Sequence, residues 1–296
     1  MKRALNILRK WKILLTAIVS CFSMVACQSP QFPSPFSKCD AALIAKLQRV
    51  EELMDNKLGN IDPLFRRQFM HEVRDIAMTS NPSINSNINY ILVLSGRASY
   101  LKNPIDHPNI PDKNDDYNRM QLGIKLAREI TAMRLAKQDK QLSEEDLIKF
   151  GPTIIYNGRP AHNIELKKAL ATNIITDYPI SKFLVLELPQ DQINTKGQFI
   201  SVQQNIDLSN EKLAIVTSAF HFPRVGRTFG GEKPFNFLGT NVTVYAYLHD
   251  RSFMAPGVEQ ELIDEAAKIS RYIAQGNLKP SLDDSIIYQG QRCLTQ

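Results

Sequence analysis

Five short apolar segments alternating with amphipathic helical patterns predict a doubly wound α/β fold, with a mostly parallel sheet of about five strands. Two features of those segments support the assignment. Each is apolar along its length instead of alternating, as a strand covered on both faces must be. Nearly every one also ends in Ser, Gly, Asn, Thr or Glu.

Two helical patterns precede the first strand. Leu43, Leu47, Val50 and Met54 recur at helical spacing, as do Phe65, Phe69, Val73 and Ile76. They form a helical extension, residues 39–80, ahead of the α/β domain at 81–296. "YILVL" (90–94) is the first strand. A proline- and aspartate-rich loop, 98–116, leads to a helix with Met120, Ile124, Ala127 and Ile130 on one face. "TIIY" (153–156) precedes a helix carrying Leu166, Leu170 and Ile174. "FLVLEL" (183–188) precedes one carrying Phe199, Val202 and Ile206. "LAIVT" (213–217) leads to a helical start near His221, and "VTVYAY" (242–247) to a helix with Val258, Leu262, Ala266 and Ile269. Strand, helix, strand in this rhythm is a Rossmann-like arrangement with helices on both faces.

The ends of the chain address a compartment. Lys2, Arg3, Arg9, Lys10 and Lys12 precede an apolar stretch from Ile13 to Ala26, shorter than the roughly 20 residues that span a bilayer. Ala26 before Cys27 resembles a bacterial lipobox, with Met24 where that pattern prefers leucine. The expectation is a signal peptide over 1–26, diacylation of Cys27, and anchorage to the cell membrane or outer membrane. The domain would then face the periplasm or exterior. An uncleaved signal anchor is the alternative, and it too exports the chain. Residues 28–38, with three prolines and three serines, form a tether.

Removing the five leader cations from 36 basic residues leaves 31 against 30 acidic, so no basic excess argues for nucleic acid. Cys21 leaves with the leader and Cys27 takes lipid, so Cys39 and Cys293 remain. In an oxidising compartment they suggest a disulfide, worth roughly 4–5 kcal/mol in the chain-entropy picture. Two free buried thiols are the alternative.

In a doubly wound sheet, ligands bind beyond the carboxyl ends of the strands. Ser95, Gly96 and Arg97 follow the first strand, and Asn157, Gly158 and Arg159 the second. Glu187 ends the third, while Thr217, Ser218 and His221 close the fourth. The polar residues therefore collect on one rim.

Several of these stretches resemble a known family. "VTSAFHFPR" (216–224) is similar to the VTS-aromatic-His-x-x-Arg motif of the SanA/YdcF/ElyC-like family, bacterial proteins sharing a domain of unknown function. "LVLSGR" (92–97), "DDYNRMQLGIKLA" (115–127), "YNGR" with Glu165, and Glu187 with Asn194 and Thr195 follow in the family's order. The resemblance covers roughly 88–250. It implies an α/β fold, a charged pocket and links to envelope integrity and wall-precursor metabolism, without an agreed reaction. Arg97 stands where the family has a second glycine, and Lys196-Gly197-Gln198 where it has Glu-Asn.

Side-chain chemistry suggests roles. His221 suits a general acid or base, with Arg224 one turn on as a phosphate or carboxylate clamp beside the N-terminus of its helix. Alternatively His221 is packed under a loop and Arg224 bridges to an acid. Glu187, if buried, would have a raised pKa and serve as a base, or else pair with Arg119 or Arg224. Asn194 and Thr195 can orient a ligand, although Thr195 can equally cap the following helix. Asp116 and Arg119 either position substrate or begin a solvated helix.

The chain has no G-x-S-x-G, Walker loop, paired-His zinc helix or full G-x-G-x-x-G. Its five histidines (71, 107, 162, 221 and 249) are scattered, which disfavours a His-rich metal site. No cofactor is indicated. The sequence thus leads to an envelope lipoprotein that binds, and hydrolyses or transfers, a small phosphate-bearing or lipid-linked metabolite. The competing reading is a binding or scaffolding lipoprotein without the reaction.

Overall fold

The computed structural model describes residues 41–96, 115–175, 177–188, 194–228, 242–249, 253 and 257–290. Cys27, Cys39, Cys293, Arg97, the leader and the tether lie outside them. The described residues all belong to one compact unit.

Chain order gives α1 (Ala41–Lys57), α2 (Pro63–Ala77), β1 (Tyr90–Val93), α3 (Asp115–Leu135), α4 (Glu144–Phe150), β2 (Thr153–Tyr156) and α5 (Pro160–Ala171). Then follow β3 (Phe183–Val185), α6 (Thr195–Asn205), β4 (Lys212–Ser218), α7 (Phe222–Thr228), β5 (Thr243–His249), α8 (Val258–Ala274) and β6 (Ile286–Ile287). The sheet order is β3-β2-β1-β4-β5-β6, and every neighbouring pair is parallel. This is the Rossmann strand order. The sixth strand exceeds the expected five: Ile286 and Ile287 pair with Val244 and Tyr245, too short a run for periodicity to register. Also unforeseen is α4, whose Ser143 and Asp146 form a reciprocal capping box.

Alternation along β1 shows the double winding. Leu92 and Leu94 join a core with residues of α1, α2, α6, α7 and α8. Ile91 and Val93 face the opposite core, built with α3, α4 and α5. Gly123 lets α3 approach the sheet closely, because a Cβ there would lie 2.8 Å from Val93 Cγ2. The α1 stripe Leu43, Leu47, Val50 and Met54 is buried as its spacing predicts, each side chain contributing roughly 2 kcal/mol. Ile174 departs from the expected pattern. Helix α5 stops at Ala171, leaving Ile174 exposed while Ile175 enters the core.

The N-terminal helices are fastened to the α/β layers. Arg227 of α7, wholly buried, donates to both carboxylate oxygens of Glu72 in α2, at 2.8 and 2.6 Å. Burial pushes the Glu72 carboxyl up and the Arg227 guanidinium down from their ordinary values, in each case against the pull of the partner.

Candidate functional site

The strand order reverses between β1 and β4, and doubly wound sheets bind ligands outside the carboxyl ends at such a switch point. Leu94 N still bonds to Val216 O at 3.0 Å, and β4 continues beside β5 as far as Ser218.

At the end of β1 the side chains form a buried knot around Asp116. Gly96 N donates to Asp116 Oδ1. Tyr156 OH, from the last residue of β2, donates to Oδ2 at 2.9 Å. Ser95 Oγ lies 3.2 Å from the same oxygen and 2.8 Å from His162 Nδ1. Asp116 is 1% exposed and Tyr156 fully buried. Burial, then the Asp116 charge, pushes the Tyr156 hydroxyl well above its usual range, so it stays a donor. Burial, then the nearby Arg159 charge, holds His162 below its usual 6.5. A neutral imidazole at neutral pH can accept the Ser95 proton or, as the other tautomer, donate to Ser95 Oγ. Gly158 makes the contact with the histidine's helix possible, since a Cβ there would lie 2.7 Å from His162 Cβ and 2.9 Å from Tyr156 Cε1.

A second group links β1 to β4. Arg119, one turn along α3 from Asp116 and 1% exposed, donates to Leu94 O and Ser218 Oγ, both at 2.9 Å. A third links β2 to α6: Asn157 Nδ2 donates to Gln198 O, and Gln198 Nε2 reaches Ser95 O at 3.4 Å. Gly158 N donates to Asn163 Oδ1 at 2.8 Å, and Asn163 Nδ2 to Leu186 O at 3.0 Å.

Ser95, Gly96, Asn157, Gly158 and Ser218 from the strand ends are therefore brought together with Asp116 and Arg119 from the start of α3. Other expectations need correction. Glu187 is not a buried base: its side chain is 64% exposed, and it accepts from Lys167 at 3.3 Å and Asn163 at 3.2 Å. Strand β3 ends at Val185, so Glu187 has already turned outward. Its partner is Lys167, neither Arg119 nor Arg224.

Arg224 is engaged elsewhere. It donates to the buried Glu265 of α8 through Nε at 2.7 Å and Nη2 at 3.3 Å, and to Thr195 Oγ1 at 3.3 Å. Bridging to an acid is thus realised. Thr195 does not cap α6; Asn194 does, accepting from Gly197 N at 2.9 Å. The expected anion site at the start of α7 is also spent. The amides of His221 and Phe222 bond to Ser218 O and Ala219 O, and Pro223 has none to give. His221 is buried, with Nδ1 2.9 Å from Thr217 Oγ1.

Tyr156, His162, Asn163 and Gln198 were given no role from the sequence, whereas Arg159 was placed on the rim behind the second strand. The available signal was helical register: His162 and Asn163 occupy the first turn of α5, directly behind Gly158. Arg159 is exposed at that turn and forms no ion pair with the described residues.

Among the described residues no group of three His, Cys, Asp or Glu side chains is placed to hold a metal, and no helix is long and apolar enough to cross a membrane. Comparison with protein-family models, curated proteins and solved structures found no match to this chain.

Proposed function

We propose that this chain is an exported, lipid-anchored protein of the bacterial envelope whose α/β domain binds a small phosphate-bearing metabolite at the β1/β4 crossing. The anchor would be Cys27, and Cys39 and Cys293 would close a disulfide around the fold. Support for export comes from the basic leader, its fourteen-residue apolar stretch and the lipobox-like Ala26-Cys27. The SanA/YdcF/ElyC-like motifs support an envelope role.

The observation that carries the binding reading is the hydrogen-bonded convergence of Ser95, Asp116, Tyr156 and His162 at the carboxyl ends of β1 and β2, beside the crossing. Among the described residues, Arg159 is an exposed cation at the turn after β2 that can meet a phosphate, whereas Arg224 is paired with Glu265. Any hydrolysis or transfer falls to Ser95 and His162, a nucleophile-and-base pair 2.8 Å apart within this convergence. In that step Ser95 Oγ attacks phosphorus as its proton passes to His162 Nδ1. His162 returns the proton to the departing oxygen, and water then releases the phosphoryl group.

A specific observation also favours a binding protein without a reaction. Gly96 N–H, which a dinucleotide fold offers to a phosphate, is given to the chain's own Asp116. One experiment separates the readings: mass spectrometry of the full chain purified from its envelope, with turnover of generic phosphoesters and lipid-linked phosphates. A co-purified phosphorus-bearing metabolite is expected in wild type and lost in Arg159→Ala. Turnover abolished by Ser95→Ala makes it an enzyme, and binding alone makes it a receptor. A phosphate-free ligand refutes the proposal.

A further inference from the structure

Two buried carbonyl oxygens at the crossing lack a donor among the described residues: Asn157 Oδ1 and Gln198 Oε1. Both residues are buried, Asn157 at 0% exposure and Gln198 at 6%. Nitrogen and oxygen of an amide are told apart by what they face. Asn157 turns its amide nitrogen to the main-chain carbonyl of Gln198, and Gln198 turns its own to the carbonyl of Ser95. A carbonyl accepts only, so neither side chain can flip without setting oxygen against oxygen. The orientation that leaves the two acceptors unmet is therefore enforced by the backbone.

A buried acceptor without a donor is costly, and a native fold that keeps two in one cluster calls for an explanation. They sit where β1, β2 and α6 meet, joined through Ser95 O to the Ser95–His162 pair. We infer that Asn157 and Gln198 form a subsite reading hydrogen-bond donors, and that the ligand carries hydroxyl or amino groups beside its phosphate. This rests on the binding site proposed above and adds the chemistry of the ligand's other half. A sugar phosphate and an amino-alcohol phosphate are two sources of the same donor chemistry. Gln198 falls just where the sequence departs from the family motif, so the donor-reading amide belongs to this chain's own version of the site.

The test uses the full chain in detergent at about pH 8, above the second phosphate pKa of about 6, where methyl phosphate has no donor. Calorimetry compares methyl phosphate with glucose 1-phosphate and phosphoethanolamine. At least one donor-bearing probe should bind about tenfold tighter than methyl phosphate. The arm that binds names the source. In Gln198→Met the preference should fall to about onefold, and Gln198→Glu, which keeps the acceptor, should retain part of it.

Equal affinity of wild type for all three probes, or an undiminished preference in Gln198→Met, overturns the inference while leaving phosphate binding intact. If no probe binds, the phosphate reading falls, and the ligand-free melting temperature decides the subsite. Gln198→Met melting within about 3 °C of wild type, or above it, supports an unmet acceptor. A larger fall shows that Gln198 is a structural bond and overturns the inference.

Discussion

Removing the Asp116 carboxylate measures how much of the crossing depends on one buried side chain. In Asp116→Ala, Gly96 N–H and Tyr156 OH lose their acceptor, while Ser95 keeps His162 at 2.8 Å. An orphaned buried donor costs about 1–3 kcal/mol, which applies in full to Tyr156 OH and in part to the half-buried Gly96 N–H, so the expected loss is about 1–5 kcal/mol. A surface change costs within about 0.5 kcal/mol. Urea unfolding at neutral pH, followed by far-ultraviolet circular dichroism, gives the number. The cross-check is Tyr156→Phe, which deletes one of the two orphans. The double variant Asp116→Ala/Tyr156→Phe should be about 1–3 kcal/mol more stable than additivity allows. A loss below about 0.5 kcal/mol for Asp116→Ala, or strict additivity in the cycle, would show that the knot does not share its bonds as drawn.

His162 sets an acid limit. Its folded pKa lies below the ordinary 6.5, so the unfolded chain takes the proton first as pH falls. Its contribution is complete above pH 6.5 and is lost as pH drops through the folded value, and His162→Gln should flatten that limb of a melting-temperature profile. Glu72→Ala strands the buried Arg227 charge and should cost about 3–5 kcal/mol by urea unfolding, whereas replacing both residues with Met should recover most of it. Gly158→Ala forces a methyl against Tyr156 and His162, and should cost about 1–3 kcal/mol and shift the His162 imidazole resonances; an unshifted spectrum would place His162 away from that turn.

The layers were legible because burial leaves a pattern in the sequence. Continuous apolar runs mark β1, β2 and β4, and stripes such as Val258, Leu262, Ala266 and Ile269 mark the helices that cover them. What periodicity does not carry is where a strand releases its chain. "FLVLEL" reads as one apolar run, yet only its first three residues form β3, and that decides whether Glu187 is buried. The rim rule found Ser95, Asn157 and Ser218 from strand ends alone. It could not find His162, which reaches Ser95 across 67 residues of sequence, or Glu265, which meets Arg224 across 41. Such partners are set by helix packing, and no spacing between them announces it.

The seating of α1 has a consequence for how the molecule is made. Its Lys57 Nζ bonds to Gln260 Oε1 of α8 at 2.7 Å, across 203 residues, and Lys46 lies 3.7 Å from Glu259. At about 5–20 residues per second, synthesis takes roughly 10–40 s to supply that partner. Throughout the interval the stripe of Leu43, Leu47, Val50 and Met54 has been made but has nothing from α8 to pack against. A holding factor that recognises apolar helices would meet this stripe during that interval, and a chain interrupted before residue 258 could not bury it against α8. Among the described residues, the first helix synthesised waits for the last one to cover it.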